Sequence, residues 1–435
     1  MRSRNSARHR NAPLRPAAST PTLPTPRHIP DLEAALAAAG LAGAAPGATV
    51  PGPLVIAGPD DLPDASGPEP VRWAAGAATG VGSLPGTDVE EAATTVVGEL
   101  PLLPHLPELP ARGVGADMIG RTAALLVDLA VEVVPTGWRV TARPGRDHRR
   151  ALDLLRFDVD ALDAACAGPR PEWVKVQVAG PWTLAASVEL HTGHRVLTDR
   201  GAVREFAASL GEGLRAHVAE VAERTGARVL VQLDEPSLPA VLAGTLPTAS
   251  GWGTVRSVPA PDAQDLLRDL ASGLGSPVVV HCCAANPPLR LLAATGVAGI
   301  GIDATLPAFS GSTALPAALD AIGEVWDAGT PLLLGLVPTV PRRRARPQGD
   351  TPAEQVPETS DVDPDEAPEA PALRALARRA FDLADRLGFD RSRLADLAVP
   401  TPTCGLAGAT PAWARRAMTL SRELGKAFVD PPETW

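Results

Sequence analysis

Cysteine is scarce: four in 435 residues are too few for a disulfide scaffold, and two of them, Cys282 and Cys283, are chain neighbours. Reduced thiols or metal ligands are therefore expected. Cations are also in the minority, with 40 Lys and Arg against 50 Asp and Glu and a formal net charge of −10. That balance argues against general affinity for nucleic acid or an anionic membrane, which depends on clustered positive charge. A small molecule is the expected partner. The basic start, Met1-Arg2-Ser3-Arg4, is followed by no apolar core of a signal peptide. The uncharged stretch 34–58 is mostly Ala and Gly and is interrupted by Pro46, Pro51 and Pro53, unlike a membrane span. These features suggest a cytoplasmic protein. There is no C-x-x-C zinc knuckle, and no G-x-G-x-x-G follows the first strand to mark a dinucleotide site.

What the chain does contain is enough apolar residue, 45%, to bury a sizeable core. Residues 1–70 mix Pro, Ala, Arg and Gly with one short helical pattern, Asp31 to Ala42, and read as a disordered or loosely packed extension. A second biased segment, 341–371, opens on Arg342, Arg343 and Arg344 and turns rich in Pro, Glu and Asp, as a solvated inserted loop would. Between them, aliphatic runs alternate with helical patterns: Val174 to Val178, Val229 to Leu233, Val278 to Val280, Val297 to Ile302, Leu332 to Leu336 and Leu397 to Val399. The spacing of Val203, Phe206, Leu210 and Leu214 predicts a helix over Ala202 to Arg224. With Thr79 to Ser83 and a strand near Leu100, the count reaches about eight, which suits a (β/α)8 barrel over residues 71–435 better than an open sheet.

Polar residues fall at the ends of these strands: Ser83, Gln177, Asp234 with Glu235, His281 with Cys283, Asp303, and Cys404. In a barrel such ends converge on one face, where active sites of this fold are built. Along an extended strand His281 and Cys283 project to the same side and Cys282 to the other, so the pair can chelate one ion. Cys404 follows the last strand and could bring a third soft ligand. Two thiolates and an imidazole suit Zn²⁺ with a position left for substrate. Spacing alone leaves buried, hydrogen-bonded roles open for all three. It leaves Asp234 and Glu235 open as loop or capping residues. His191 and His194 read as exposed loop residues, Cys166 as a structural thiol, and Trp182 either as pocket wall or as packing.

Taken in order, Gly82-Ser83-Leu84-Pro85, Gly180-Pro181-Trp182-Thr183, Asp234-Glu235-Pro236, His281-x-Cys283 and Cys404-Gly405-Leu406 resemble the catalytic barrel of cobalamin-independent methionine synthases, over about residues 76 to 430. The resemblance implies zinc held by a histidine, two cysteines and an acidic residue: His281, Cys283, Cys404 and, where the family has glutamate, Asp303. It implies methyl transfer to the thiol of homocysteine, from methyltetrahydrofolate or, as in single-barrel relatives, from a corrinoid protein. Asp234 would bind the amino group and Ser83 the carboxylate, with Glu235 and Gln177 in the pocket and Asp117 as the nearest second acidic ligand. The family's proton-donating histidine has no counterpart in Gly335-Leu336-Val337-Pro338-Thr339. Two other readings stand beside this one: a non-catalytic zinc or amino-acid-binding accessory protein, and a uroporphyrinogen decarboxylase-like enzyme, which the His-x-Cys and Cys404 pattern disfavours.

Overall fold

The computed structural model describes residues 73–248, 251–341 and 370–430. The expected extension 1–70, with its short helix Asp31 to Ala42, and nearly all of the 341–371 insertion lie outside the described residues. Among those described there are nine strands: β1 (Ala130–Val134), β2 (Gly137–Thr141), β3 (Trp173–Ala179), β4 (Val188–Glu189), β5 (Arg228–Asp234), β6 (Val278–Cys282), β7 (Gly299–Asp303), β8 (Leu332–Val337) and β9 (Ala398–Pro402). Six of them form one parallel sheet in the order β3-β5-β6-β7-β8-β9. Helices precede or follow each strand and cover its outer face, the usual condition for an all-parallel sheet.

The strand sequences explain how the sheet is sided. Along β3, Val174, Val176 and Val178 join the large core against the helices, whereas Trp173 belongs to a separate cluster with Ala77, Leu103, Leu230, Val279, Leu333 and Val399. Neighbours one residue away from that cluster, Val229, Val231, Val278, Val280, Leu332, Leu334 and Ala398, return to the large core. Period-two alternation therefore gives the curled sheet a helix-facing side and a concave side whose floor is this small apolar cluster.

The expected strands after residue 170 are present with ends shifted by up to three residues, but eight regular strands in one sheet are not found among the described residues. Near Leu100 there is no strand, because the chain there is a helix, Val89–Glu99, capped by Leu100. An extended segment comes slightly later and is tied only by isolated bridges, His105 with Lys175 and Ser83 with Glu108. The Thr79 amide in turn donates to the Pro400 carbonyl at 3.3 Å. Hydrogen bonds thus run from β9 through 79–84 and 104–108 to β3. Pro104, Pro107 and Pro110 explain the irregularity, since proline cannot donate to a ladder. A further sheet, absent from the sequence reading, pairs β1 with β2 as a hairpin and β2 with β4 in parallel.

The predicted helix over Ala202 to Arg224 is Arg200–Thr225. Asp199 caps it, accepting from the Gly201 and Ala202 amides, and Gly226 ends it at φ +69°. Its inner face lies directly on the 125–127 turn, where Ser209 Oγ donates to the Val127 carbonyl at 2.7 Å. Gly213 permits that approach, because a Cβ there would overlap the Leu125 carbonyl oxygen, a backbone atom with little freedom to yield. Gly213→Ala should therefore destabilise the fold by about 1–3 kcal/mol through overpacking despite alanine's better helix propensity. Urea denaturation checks this, and an unchanged or raised midpoint would contradict the packing described.

Candidate functional site

The parallel register sets Asp234 at the end of β5 opposite His281 at the end of β6. Their side chains meet there: His281 Nδ1 lies 2.8 Å from Asp234 Oδ1, with both residues buried. Asp234 Oδ1 also accepts from Gln232 Nε2 at 2.8 Å. Cys282 turns into the helix-facing core, where burial pushes its thiol up to about 12. Two residues past His281, the half-buried Cys283 reaches the exposed Cys404 with an Sγ–Sγ distance of 3.5 Å. The bond from Cys283 draws the Cys404 thiol down to about 6, with His281 adding to it against the effect of burial. The same bond, then burial, raises Cys283.

Ser83 is drawn to the same end of the sheet. Its carbonyl accepts from the Leu406 amide at 2.7 Å, and its hydroxyl lies where a Cβ on residue 405 would be, so Gly405 is what lets the Cys404 loop close over it. Next to Ser83 across the isolated bridge stands Glu108. Its carboxyl is buried and raised from the usual carboxylate range, first by burial, with Arg121 pulling it down and Asp234 pushing it further up. Arg121 Nε is 3.8 Å from Glu108 Oε1, and Arg121 is itself paired with the fully buried Asp158. Below the carboxylates, Gln177 Nε2 donates to the Leu106 carbonyl at 2.6 Å, and Lys175 Nζ donates to Gln177 Oε1 and to the Val81 carbonyl, each at 3.1 Å.

Glu108 and Lys175 were not singled out from the sequence. The prolines around Glu108 hide its strand-like position, whereas Lys175 was legible in principle: in Trp173-Val-Lys-Val-Gln-Val-Ala it shares the parity of Gln177.

Other expected site residues face elsewhere. Glu235 is fully buried, and its two oxygens accept from the Trp182 amide (2.9 Å), the Thr183 amide (2.8 Å) and the Thr183 hydroxyl (2.8 Å). It thus caps the helix Pro181–Ser187, although burial still lifts its carboxyl to about 7. Asp117 caps the helix Met118–Ala124, accepting from the Gly120 amide at 2.9 Å and from Trp138 Nε1 at 3.1 Å. Asp303 Oδ1 accepts from the Thr305 amide (2.8 Å) and hydroxyl (2.7 Å) in its own loop. Trp182 is buried with its indole N–H on the Ala263 carbonyl, so it is packing rather than wall. His191 and His194 are exposed, and Cys166 is buried at a helix end with its thiol raised to about 11.

Among the described residues, no group of three or more His, Cys, Asp and Glu side chains is assembled for a metal ion. The donor chemistry nevertheless fits zinc in two respects. Two thiolates on a tetrahedral ion with Zn–S bonds of ~2.3 Å stand about 3.8 Å apart, close to the observed 3.5 Å. Histidine ligands of metals also commonly donate their other ring N–H to a carboxylate, which is the bond His281 makes with Asp234.

A curled parallel sheet whose strand ends gather thiols, an imidazole and carboxylates is the architecture of an α/β enzyme acting on small molecules. A family model described as the cobalamin-independent synthase, catalytic domain, matches residues 76–346, well over half of the chain, and the protein belongs to that family. It is a methyltransferase of the methionine synthase type. The match takes in Ser83, Glu108, Gln177, Asp234, His281, Cys283 and Asp303 and ends before Cys404. A family described as cobalamin-independent lends no support to the corrinoid methyl-donor protein considered above.

No curated protein matches the chain. Solved structures similar to it include a B12-independent methionine synthase from Shewanella sp. W3-18-1 in complex with selenomethionine (13% identity, 82% of this chain and 98% of that one, TM-score 0.47). Another is a methyltransferase from Methanosarcina mazei (16% identity, 82% and 94%, TM-score 0.45). No helix among the described residues is long and apolar enough to cross a membrane.

The buried lysine gives the site a pH signature. Burial lowers Lys175 from 10.5 to about 8, although Asp234 and Glu108 pull it upward. Below pH 8 both folded and unfolded chains carry the charge, and the fold bears the full cost of burying it. Between about 8 and 10.5 the folded chain has released the proton and the unfolded chain has not, so this group's contribution to stability rises with pH across that window. Measured against Lys175→Met, which lacks the titration, the parent should gain unfolding free energy over that range. A pH-independent difference would contradict the assignment.

Proposed function

We propose that this protein is a zinc-dependent methyltransferase that methylates the thiol of homocysteine, with methyltetrahydrofolate as donor. The observation that carries the reading is the Cys283–Cys404 contact of 3.5 Å beside an imidazole already turned by Asp234. His281, Cys283 and Cys404 would hold the metal. His281 would bind it through Nε2, because Nδ1 is committed to Asp234. Asp303 is the fourth candidate, since both bonds from Thr305 fall on Oδ1 and leave Oδ2 to serve. When bound, zinc would favour the thiolate of a substrate whose free thiol, at pKa ~8.5, is mostly protonated at neutral pH, while leaving its sulfur nucleophilic.

The other residues divide the amino acid between them. Asp234 and Glu108 would receive its ammonium group, since both carboxyls are buried, burial and Asp234 raise Glu108, and a cation placed beside them offsets that cost. Ser83 would receive the carboxylate, and Gln177 would hold the wall next to Glu108. Glu235 and Asp117 would act at one remove, by fixing the helices that begin at Pro181 and Met118. We take the ring that runs from β9 through 79–84 and 104–108 to β3 as an eight-position (β/α)8 barrel with two irregular positions.

Zinc-edge X-ray absorption of the zinc-loaded protein tests the thiol-activation step. Added homocysteine should increase the sulfur contribution around the metal. A spectrum unchanged by homocysteine at saturating concentration would overturn it.

A further inference from the structure

Lys175 is fully buried on the concave side of β3, between the apolar floor around Trp173 and the carboxylates at the strand ends. Burying an ammonium group is costly, and fully buried lysines are rare unless something in the structure requires them. The partners of Lys175 indicate what that requirement is. Its Nζ donates at 3.1 Å to the Val81 carbonyl, the residue before Gly82-Ser83, and at 3.1 Å to Gln177 Oε1. The same Val81 carbonyl accepts at 2.8 Å from Gln232 Nε2, which also donates at 2.8 Å to Asp234 Oδ1. The Val81 carbonyl is therefore a node: one side leads along the backbone to Ser83, and the other leads through Gln232 to Asp234. Through Gln177 the lysine also reaches the Leu106 carbonyl, in the segment that carries Glu108.

We propose that Lys175 is a positioning residue for the amino-acid subsite, holding the Val81 carbonyl and Gln177 so that Ser83, Glu108 and Asp234 keep a common geometry. The inference rests on the function proposed above. It separates from a structural role, because burial disfavours the charged form of Lys175, a cost that an apolar side chain of similar volume does not bear. A residue kept for the fold would lose stability on replacement. One kept for the site would lose affinity alone.

The test compares the full-length zinc-loaded parent with Lys175→Met and Lys175→Gln, using homocysteine binding by titration calorimetry and urea unfolding at neutral pH. Lys175→Met should unfold at the same or a higher urea concentration and bind homocysteine ~10-fold more weakly, the scale of one lost charged hydrogen-bond anchor. Lys175→Gln keeps an N–H donor toward Val81 and should recover part of that loss. Equal affinity in parent and variants would overturn the inference and leave the proposed function standing. Lower affinity that tracks lower stability, or failure of both variants to fold, would make Lys175 a fold residue and overturn it as well. A parent that does not bind homocysteine would overturn the proposed function, and the inference with it.

Discussion

Each strand of a helix-covered parallel sheet sends one set of side chains to the helices and the alternate set to its concave side, and in this protein the placing of the polar groups along β3, β5 and β6 follows from that division. The helix-facing set is nearly all aliphatic. The concave set begins with an apolar floor of seven residues, continues into Lys175, Gln177 and Gln232, and ends on Asp234 and His281. Polarity on that side increases toward the strand ends, from Lys175 to Asp234 and His281. A one-residue slip in any strand would bury the wrong set.

Charge within the enclosed set is balanced rather than neutralised pair by pair. Asp234 raises the proton affinity of Glu108, Arg121 and Lys175 lower it, and the amides of Gln177 and Gln232 hydrogen-bond Lys175 and Asp234 directly. Such a network costs stability unless every member is satisfied. The sulfur pair sits outside it at the mouth, half-buried to exposed, where a thiolate can form and a ligand can enter.

Much of this was legible in the sequence because periodicity survives translation into three dimensions. The six regular strands of the parallel sheet, the long helix over 200–225 and the opposite orientations of Cys282 and Cys283 all follow from alternation and spacing. Legibility failed where local chemistry overrode pattern. Prolines 104, 107 and 110 conceal the extended segment that carries Glu108, so the expected strand near Leu100 falls a few residues early. The resemblance implies pocket roles for Glu235 and Asp117, and in the fold both carboxylates lie at helix starts, where unpaired amides attract them. The hairpin β1–β2 and its pairing with β4 carried no motif and went unread.

The claim on which the account turns is that Cys404, brought in by the last strand, completes a metal site with His281 and Cys283. Elemental analysis of the purified protein and of Cys404→Ser, prepared side by side with zinc supplied during growth and without a metal-binding tag, tests it most directly. The account predicts about one zinc per chain in the parent, as for a site with one open position, and its loss in the variant. No zinc in the parent with its thiols reduced, or equal zinc in both proteins, would contradict it.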